Sequence, residues 1–201
     1  MALVNIREVY PGVRLALWQL DERPEDFYRQ FPETECYRQT LDAQYKNEGR
    51  KLEFLAVRAL LTSMGIAGEI GHNAAGKPLL KGWHISISHT RGFVAVILSR
   101  KHKVAVDIEY LSDRVDRIAS KFLRRDEQAT DTLQRLVHWC CKETLYKLFS
   151  EQDLQYGQMR VKPFSVDADW YCVVENLRTS QCVNVDFDLT AEFVLTYTQL
   201  P

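Results

Sequence analysis

The sequence predicts an α+β fold in which antiparallel sheet packs against helices. Short apolar runs typical of strands occupy the middle and the end of the chain, and segments with helical spacing of apolar residues lie between them. The chain has 201 residues, of which 46% are hydrophobic and 26% are charged. These values are ordinary for a folded protein with a real core, built as one domain or as two tightly packed halves.

The first part of the chain is predicted to begin with a strand and a long helical region. Residues 13–20 form a short apolar run, and residues 32–64 favour helix, which Gly65 would end. A loop rich in turn-forming residues follows at 71–78. We therefore expect a strand, then helix, then a loop in this part of the chain.

Three strand-like runs occupy the middle of the chain, at residues 84–88, 93–98 and 103–109. The gaps between them have the length of short hairpin loops. This spacing predicts an antiparallel meander in which Leu98 pairs with Lys103.

The last part of the chain is predicted to contain two helices followed by hairpins. Ser112 or Asp113 can cap the first helix, and the second covers residues 130–149. The strands expected after them lie at residues 164–166, 170–174, 183–187 and 192–197.

Charge and cysteine content narrow the class of protein. The formal net charge is −1, whereas a general nucleic-acid binder is usually much more basic. The five cysteines are odd in number and form no CxxC pair, which indicates reduced thiols. The N-terminus lacks the pattern of a signal peptide, and no apolar stretch approaches the roughly 20 residues of a spanning helix. We therefore expect a cytoplasmic protein that binds neither nucleic acid nor membrane.

Two acidic residues share one face of the third predicted strand. Because side chains alternate along a strand, Asp107 and Glu109 point away from the face that carries Val106 and Ile108. Two carboxylates at this spacing repel each other and offer the oxygen ligands that Mg²⁺ prefers. The alternative, two surface acids at a solvated strand end, stays open on this pattern alone.

Polar residues elsewhere could complete such a site. His89 follows Ser88 at the end of the meander that is expected to lie beside the acids, although a turn histidine bonded to backbone is the alternative. Glu143 and Lys147 are one turn apart on the second helix and could add a third carboxylate and a phosphate contact. The alternative for this pair is an ordinary surface ion pair.

Basic residues near the start of the chain could hold a charged ligand. Arg50 and Arg58 lie on the predicted first helix, and Lys77 precedes Pro78 in the turn-rich loop. Together they could bind a multiply charged anion, whereas the alternative is a solvated helix face. The loop is not a Walker motif, because neither the spacing nor the following Ser or Thr is present.

Taken together, these motifs resemble those of the 4′-phosphopantetheinyl transferases, particularly the Sfp type. The similar segments are RKLEFLAVR at 50–58, GKP at 76–78, ISISHT at 85–90, VDIE at 106–109 and WCCKETLYK at 139–147. They occur in the same order as in that family. The sequence departs from the family pattern at Ala105, where glycine is frequent, and at Ser86, where asparagine is frequent.

The resemblance implies a fold of two similar α+β halves, residues 1–100 and 101–201, with the active site between them. The metal ligands it implies for Mg²⁺, or for Mn²⁺ in its place, are Asp107, Glu109 and Glu143. The catalytic residues it implies are His89, Glu143 and Lys147. The coenzyme A contacts it implies are Arg50, Arg58, Lys77, Pro78, Ser88, His89 and Lys147.

The activity that the resemblance implies is that of a holo-[acyl-carrier-protein] synthase. Such an enzyme moves the 4′-phosphopantetheine of coenzyme A to a serine of an acyl or peptidyl carrier protein and releases adenosine 3′,5′-bisphosphate. The carriers serve fatty-acid, polyketide or nonribosomal-peptide synthesis, and the enzymes are typically monomers. Two alternatives remain: a catalytically silent module that binds coenzyme A or a carrier, and another Mg²⁺-dependent phosphotransferase or hydrolase.

Overall fold

Two antiparallel sheets organise the chain. The computed structural model describes residues 3–200, so Met1, Ala2 and Pro201 lie outside the described residues. Within that range helices pack against both sheets, which confirms the predicted α+β fold. A turn at residues 100–102 connects the last strand of the first sheet to the first strand of the second.

The first sheet and a small separate hairpin contain the strands that precede this turn. These strands are β1 (Leu3–Tyr10), β2 (Val13–Gln19), β3 (Gly71–His72), β4 (Pro78–Leu79), β5 (His84–Thr90) and β6 (Phe93–Ser99). The sheet has the order β1-β2-β6-β5, and β3 pairs with β4 alone. Every residue of β6 is buried, because neighbours pair with it on both sides.

Three helices cover the outer face of the first sheet. They are α1 (Pro24–Gln30), α2 (Arg38–Gln44) and α3 (Glu48–Ser63), and a 3₁₀ helix at Pro32–Tyr37 links the first two. Asn47 caps α3 by accepting a hydrogen bond from the Gly49 amide at 2.8 Å. Gly65 follows the end of α3 with φ +67°, a conformation that favours glycine and ends the helix. Leu55 and Leu60 of α3 pack on Val96 of the sheet.

The second sheet is built from the strands that follow the turn. These strands are β7 (Lys103–Tyr110), β8 (Met159–Val161), β9 (Tyr171–Asn176), β10 (Gln181–Leu189) and β11 (Phe193–Leu200), in the order β7-β11-β10-β9-β8. The helices α4 (Arg114–Phe122) and α5 (Thr132–Leu148) pack on its outer face. Short 3₁₀ helices follow α5 at Ser150–Gln152 and Tyr156–Gln158.

The second helix of this part, α5, is buried on almost every side. Its buried residues include Val137 and Leu145, but also the charged Lys142. Lys142 Nζ donates to Glu127 Oε2 at 2.7 Å and to the Phe122 carbonyl at 2.6 Å, and the side chains of Lys142 and Glu127 are both fully buried. Pairing of this kind is what allows a charge to remain inside a core.

The two sheets pack face to face, so the molecule has four layers in the order helix, sheet, sheet, helix. Leu15 and Ile97 of the first sheet meet Val106, Ile108 and Leu195 of the second in one buried cluster. Because β7 also packs beside β5, the edge strand of the first sheet lies against the edge strand of the second. This junction brings the acidic strand next to the Ser-His segment.

The predicted meander is wrong in its third strand. β5 pairs with β6, but β7 pairs with β11, so Lys103 lies opposite Leu200 and Asp107 lies opposite Thr196. Leu98 therefore does not pair with Lys103. A short gap is compatible with a hairpin, but here β7 crosses to the second sheet, where it pairs with a strand from the end of the chain.

Several other boundaries differ from those predicted. The region 32–64 is not one helix, because Pro32 begins a 3₁₀ turn and the chain is extended at Tyr45, between α2 and α3. The strand predicted at 164–166 is wrong, since this segment is a loop. The pattern also missed β1, an edge strand with half-exposed residues whose apolar signal is weak.

Two further observations concern membrane-spanning helices and the cysteines. Within residues 3–200, no helix combines the length and the apolar character needed to cross a bilayer. The five cysteines carry free thiols, and both Cys140 and Cys141 are buried in the core.

Candidate active site

Three side-chain hydroxyls join β5 to β7 across the junction of the two sheets. They belong to alternate residues of β5, so they share one face of that strand. Each accepts a hydrogen bond from a backbone amide of β7. The bonds run from Val106 N to Ser86 Oγ, from Ile108 N to Ser88 Oγ and from Tyr110 N to Thr90 Oγ1, at 3.2, 3.3 and 3.1 Å. We call this arrangement the hydroxyl ladder, and it holds β7 at a fixed register against β5.

Asp107 is the most buried acid at this junction, with 6% of its side chain exposed. Its Oδ1 accepts hydrogen bonds from Ser88 Oγ at 2.8 Å and from Lys147 Nζ at 2.7 Å. Lys147 Nζ also donates to the Val106 carbonyl at 3.1 Å. Asp107 Oδ2 is buried and has no hydrogen-bond partner among the described residues. A buried carboxylate oxygen without a partner is costly, so a positive charge or a donor placed beside it would be stabilised.

Glu109 lies two residues further along the same face of β7. Its Oε1 accepts a hydrogen bond from Trp139 Nε1 at 3.0 Å, and its Oε2 accepts one from Thr90 Oγ1 at 3.4 Å. Burial raises the pKa of Glu109, and the negative charge of Asp107 raises it further, although the two hydrogen bonds act in the opposite direction. The two acids therefore repel each other, as their spacing in the strand predicts.

Glu143 approaches the same acids from α5. Its Oε1 accepts a hydrogen bond from the Tyr156 hydroxyl at 2.6 Å. Burial raises the pKa of Glu143, Tyr156 lowers it, and Asp107 and Lys147 have smaller effects of opposite sign. Because the charge of Asp107 raises the pKa of both Glu109 and Glu143, the three carboxyls form one electrostatic group.

The donor set of this group suits a hard divalent cation. Among residues 3–200, no three Asp, Glu, His or Cys side chains already form a cation cage. The chemistry of the group nevertheless fits, because it offers carboxylates that repel one another and the unpartnered Oδ2 of Asp107. Asp107, Glu109 and Glu143 are thus the residues that could hold Mg²⁺.

A second group of charged residues, which includes Arg50 and His89, lies near Asp107. Glu53 of α3 binds Arg50 at 2.9 Å and lies 3.5 Å from His89 Nδ1, and Arg50 Nη1 lies 3.4 Å from His89 Nε2. Burial lowers the pKa of His89, and Glu53 raises it, while Arg50, Lys147 and Asp107 have smaller effects. Arg50 and His89 are partly exposed, so their nitrogen atoms can reach a bound anion.

The other residues predicted to contact coenzyme A have different neighbours from Arg50 and His89. Lys77 Nζ lies 3.3 Å from Glu151 Oε1, and Pro78 belongs to β4 of the same hairpin. The Arg58 guanidinium packs against the rings of Tyr37 and Phe54 and donates to the Phe54 carbonyl at 3.2 Å.

Arg58 is therefore not part of the group around Asp107. It lines a separate cavity together with Glu33, Thr62 and Gly65. The predicted residues that do meet at the junction are Arg50, Ser88, His89, Asp107, Glu109, Glu143 and Lys147.

Sequence reasoning missed three contributors to the site. Trp139 and Thr90 donate to Glu109, and Tyr156 donates to Glu143. The alternation of Ser86, Ser88 and Thr90 was a usable signal, because it places the hydroxyls on one face of a strand. Tyr156 had no such signal, since it comes from a turn without a recognisable motif.

A small cavity opens beside Glu109. Its volume is about 170 Å³, and Tyr110, Arg114, Ile118 and Trp139 are among its lining residues. The carboxyl group of Glu109 is thus reachable from the side of α4.

Part of the chain that contributes residues to this junction is similar to a known family. Residues 103–198 match the family model of the 4′-phosphopantetheinyl transferase superfamily. This segment runs from β7 into β11 and includes Asp107, Glu109, Glu143 and Lys147. This segment is similar to that superfamily, in agreement with the sequence resemblance at this level. No curated protein matches the sequence.

Proposed function

We propose that the protein is a 4′-phosphopantetheinyl transferase of the Sfp type. It transfers the phosphopantetheine arm of coenzyme A to a serine of an acyl or peptidyl carrier protein, as a holo-[acyl-carrier-protein] synthase does. The observation that supports this most directly is the contact between Lys147 and Asp107 at 2.7 Å, within an electrostatic group that also includes Glu109 and Glu143. The match of residues 103–198 to the transferase superfamily supports the same proposal.

Asp107, Glu109 and Glu143 would hold Mg²⁺, and Mn²⁺ could replace it. When bound, the ion neutralises negative charge on the pyrophosphate of coenzyme A. The three acids account for the need for a cation, because they would otherwise place repelling charges in a partly buried site.

In the proposed reaction the serine oxygen of the carrier attacks the β-phosphorus of coenzyme A. A phosphorus–oxygen bond forms to the serine, and the bond from that phosphorus to the bridging oxygen breaks. Adenosine 3′,5′-bisphosphate leaves with the electron pair. Lys147 would support the charge that develops on this leaving group through its ammonium group.

The serine proton needs an acceptor. Burial raises the pKa of Glu143, which makes its carboxyl a better base than an exposed one. A carboxylate that also binds a metal is a weaker base. Glu143 or a hydroxide ion would therefore accept the proton.

Arg50 and His89 would bind phosphate groups of coenzyme A, since both present nitrogen donors at the edge of the site. Lys77 and Pro78, from the hairpin β3–β4, would contact the nucleotide end. Ser88 has a different part to play, because its hydroxyl already accepts from Ile108 and donates to Asp107. Its side chain would hold the acid next to the bound coenzyme.

The proposed enzyme acts in the cytoplasm as a monomer on carriers of fatty-acid, polyketide or nonribosomal-peptide synthesis. The test is to mix the purified protein with apo carriers of each kind, coenzyme A and Mg²⁺, and to weigh the carriers. We expect at least one carrier to gain one phosphopantetheine. The matched control is Asp107→Ala, which should remain folded and leave the carrier mass unchanged.

Two other outcomes would contradict the proposal. Tight binding of coenzyme A without any mass gain across the panel would favour the silent binding module. Release of phosphate from nucleotides, again without carrier modification, would favour another metal-dependent phosphotransferase or hydrolase.

A further inference from the structure

Tyr156 lies in a short turn that is tied to the rest of the protein on both sides. The backbone N–H of Gln155 donates to Gln158 Oε1 at 2.9 Å, and the backbone N–H of Gln158 donates to the backbone carbonyl of Gln155 at 2.8 Å. Arg124 donates a hydrogen bond to the Gly157 carbonyl. These bonds hold the backbone of the turn in the position from which the Tyr156 side chain reaches Glu143.

The hydroxyl of Tyr156 contacts the acid that α5 contributes to the site. It donates to Glu143 Oε1 at 2.6 Å, a short hydrogen bond to a charged acceptor. A glutamate side chain has three rotatable bonds and can point in many directions. A donor held rigidly by an aromatic ring selects one of these directions.

The ring of Tyr156 contacts a second part of the site. Its centroid lies 5.3 Å from that of Trp139, at an interplanar angle of 36°. Phe122 packs edge-on against the indole, at 5.2 Å and 70°. The indole Nε1 in turn donates to Glu109 Oε1 at 3.0 Å. Tyr156 therefore contacts Glu143 directly through its hydroxyl. Its ring also packs on Trp139, the residue that donates to Glu109.

We propose that Tyr156 is a positioning residue of the active site, whose hydroxyl orients Glu143 and whose ring holds Trp139 against Glu109. This inference rests on the proposed function, because it assigns Tyr156 to the same cation site. It explains why a tyrosine lies here, since phenylalanine would fill the space next to Trp139 equally well but would offer Glu143 no donor.

The effect of the hydroxyl is measurable without catalysis. Removing a partner that orients a metal ligand typically costs about 10–100-fold in metal affinity or activity. We therefore expect Tyr156→Phe to weaken the binding of Mn²⁺, measured by electron paramagnetic resonance with and without coenzyme A, by about tenfold or more. In the transfer assay, kcat should fall while the KM for coenzyme A stays close to that of the original protein.

The matched control is Tyr146→Phe. Tyr146 lies on α5 close to Glu143 in sequence, but its hydroxyl donates to Asp153 at 3.4 Å. This variant should bind Mn²⁺ as the original protein does. Tyr156→Leu, which also removes the ring contact, should weaken Mn²⁺ binding further and change the near-ultraviolet circular dichroism of the Trp139 environment.

The outcomes separate this inference from the proposed function. Unchanged Mn²⁺ affinity and kcat in Tyr156→Phe would overturn the positioning role, even if the protein is an active transferase. A protein that modifies no carrier would contradict the proposed transfer. Even then, a loss of Mn²⁺ affinity in Tyr156→Phe but not in Tyr146→Phe would support the positioning role. An equal loss in Tyr146→Phe would also overturn it, because the effect would then not depend on the contact with Glu143.

Discussion

Ser88 donates a hydrogen bond to Asp107 at 2.8 Å while its oxygen accepts one from the Ile108 amide at 3.3 Å. A single hydroxyl thus joins the two sheets and orients the central acid of the candidate site. Ser86 makes the same kind of contact, to the Val106 amide, but has no hydrogen bond to an acid among the described residues. The two serines are equally buried, so their structural and functional contributions can be compared directly.

We expect Ser86→Ala and Ser88→Ala to destabilise the protein by similar amounts. Each leaves one buried amide of β7 without its acceptor, at a cost of about 1–3 kcal/mol. Only Ser88→Ala should reduce transfer activity, because only Ser88 contacts Asp107. Urea unfolding and the carrier mass assay measure the two effects. Equal losses of activity in both variants would show that loosening of the junction, rather than contact with the acid, is responsible.

Arg50 and Arg58 should differ in their effect on coenzyme A. Arg50 lies beside His89, whereas Arg58 packs against Tyr37 and Phe54 and lines another cavity. A hydrogen bond to a charged group contributes about 1.5–3 kcal/mol, so Arg50→Ala should raise the KM for coenzyme A by about tenfold or more. Arg58→Leu should leave that KM unchanged and should lower only the melting temperature.

Steady-state kinetics at varied coenzyme A concentration checks this difference between the two arginines. A rise of the KM in Arg58→Leu that matches or exceeds the rise in Arg50→Ala would contradict it. That result would mean that the guanidinium of Arg58 leaves the two rings and reaches the coenzyme.

Removing one partner of the ion pair between Lys142 and Glu127 should destabilise the protein strongly. Both side chains are fully buried, and Lys142 is also bonded to the Phe122 carbonyl. Lys142→Met leaves the charge of Glu127 inside the core, which costs about 3–5 kcal/mol in the free energy of unfolding. Urea unfolding of the variant gives this value.

A second substitution tests the cause of that loss. Adding Glu127→Gln to Lys142→Met removes the unpaired charge, so the double variant should recover part of the stability. Lys121→Met, at an exposed position of α4, is the control and should unfold as the original protein does. No recovery in the double variant would show that lost packing, rather than the buried charge, causes the destabilisation.

Local signals in the sequence located most of the helices and strands, but they did not determine which strands pair. The strand around Asp107 was found because its apolar residues alternate, yet its partner β11 comes from the end of the chain. Hairpin spacing carries no information about such a distant partner, so the predicted pairing of Leu98 with Lys103 failed. The helix ends at Gly65 and Asp113 were found because the residues that mark them are local signals, although the Asp113 side chain makes no capping hydrogen bond.

In the candidate site, too, residues that share one strand could be predicted from the sequence, whereas contacts between distant segments could not. Asp107 and Glu109 were recognisable because both lie on one face of one strand. The link from Glu143 to Tyr156 could not be predicted, because it depends on where the chain turns after α5. The resemblance predicted that Ser88 contacts coenzyme A, which stays a prediction, but it did not indicate that the Ser88 hydroxyl is bonded to Asp107 and Ile108.

His138 should make the stability of the protein depend on pH. It is 1% exposed, and burial lowers the pKa of its imidazole below the usual 6.5, although the Gln134 carbonyl, 2.8 Å from Nδ1, opposes this shift. Between the lowered pKa and 6.5 the unfolded chain binds more protons than the folded protein does. The stabilising effect of the neutral ring is therefore complete above pH 6.5 and is lost as the pH falls through this window.

Within that window the free energy of unfolding should fall by up to about 1.4 kcal/mol per pH unit through this one group. Urea unfolding of the original protein and of His138→Gln, compared from about pH 7 to about pH 5, isolates the contribution. The variant should show a shallower decline, and His84→Gln, at an exposed position of β5, should decline as the original protein does. Parallel curves for the original protein and His138→Gln would contradict the prediction, because the buried imidazole would then take up its proton without any cost to the fold.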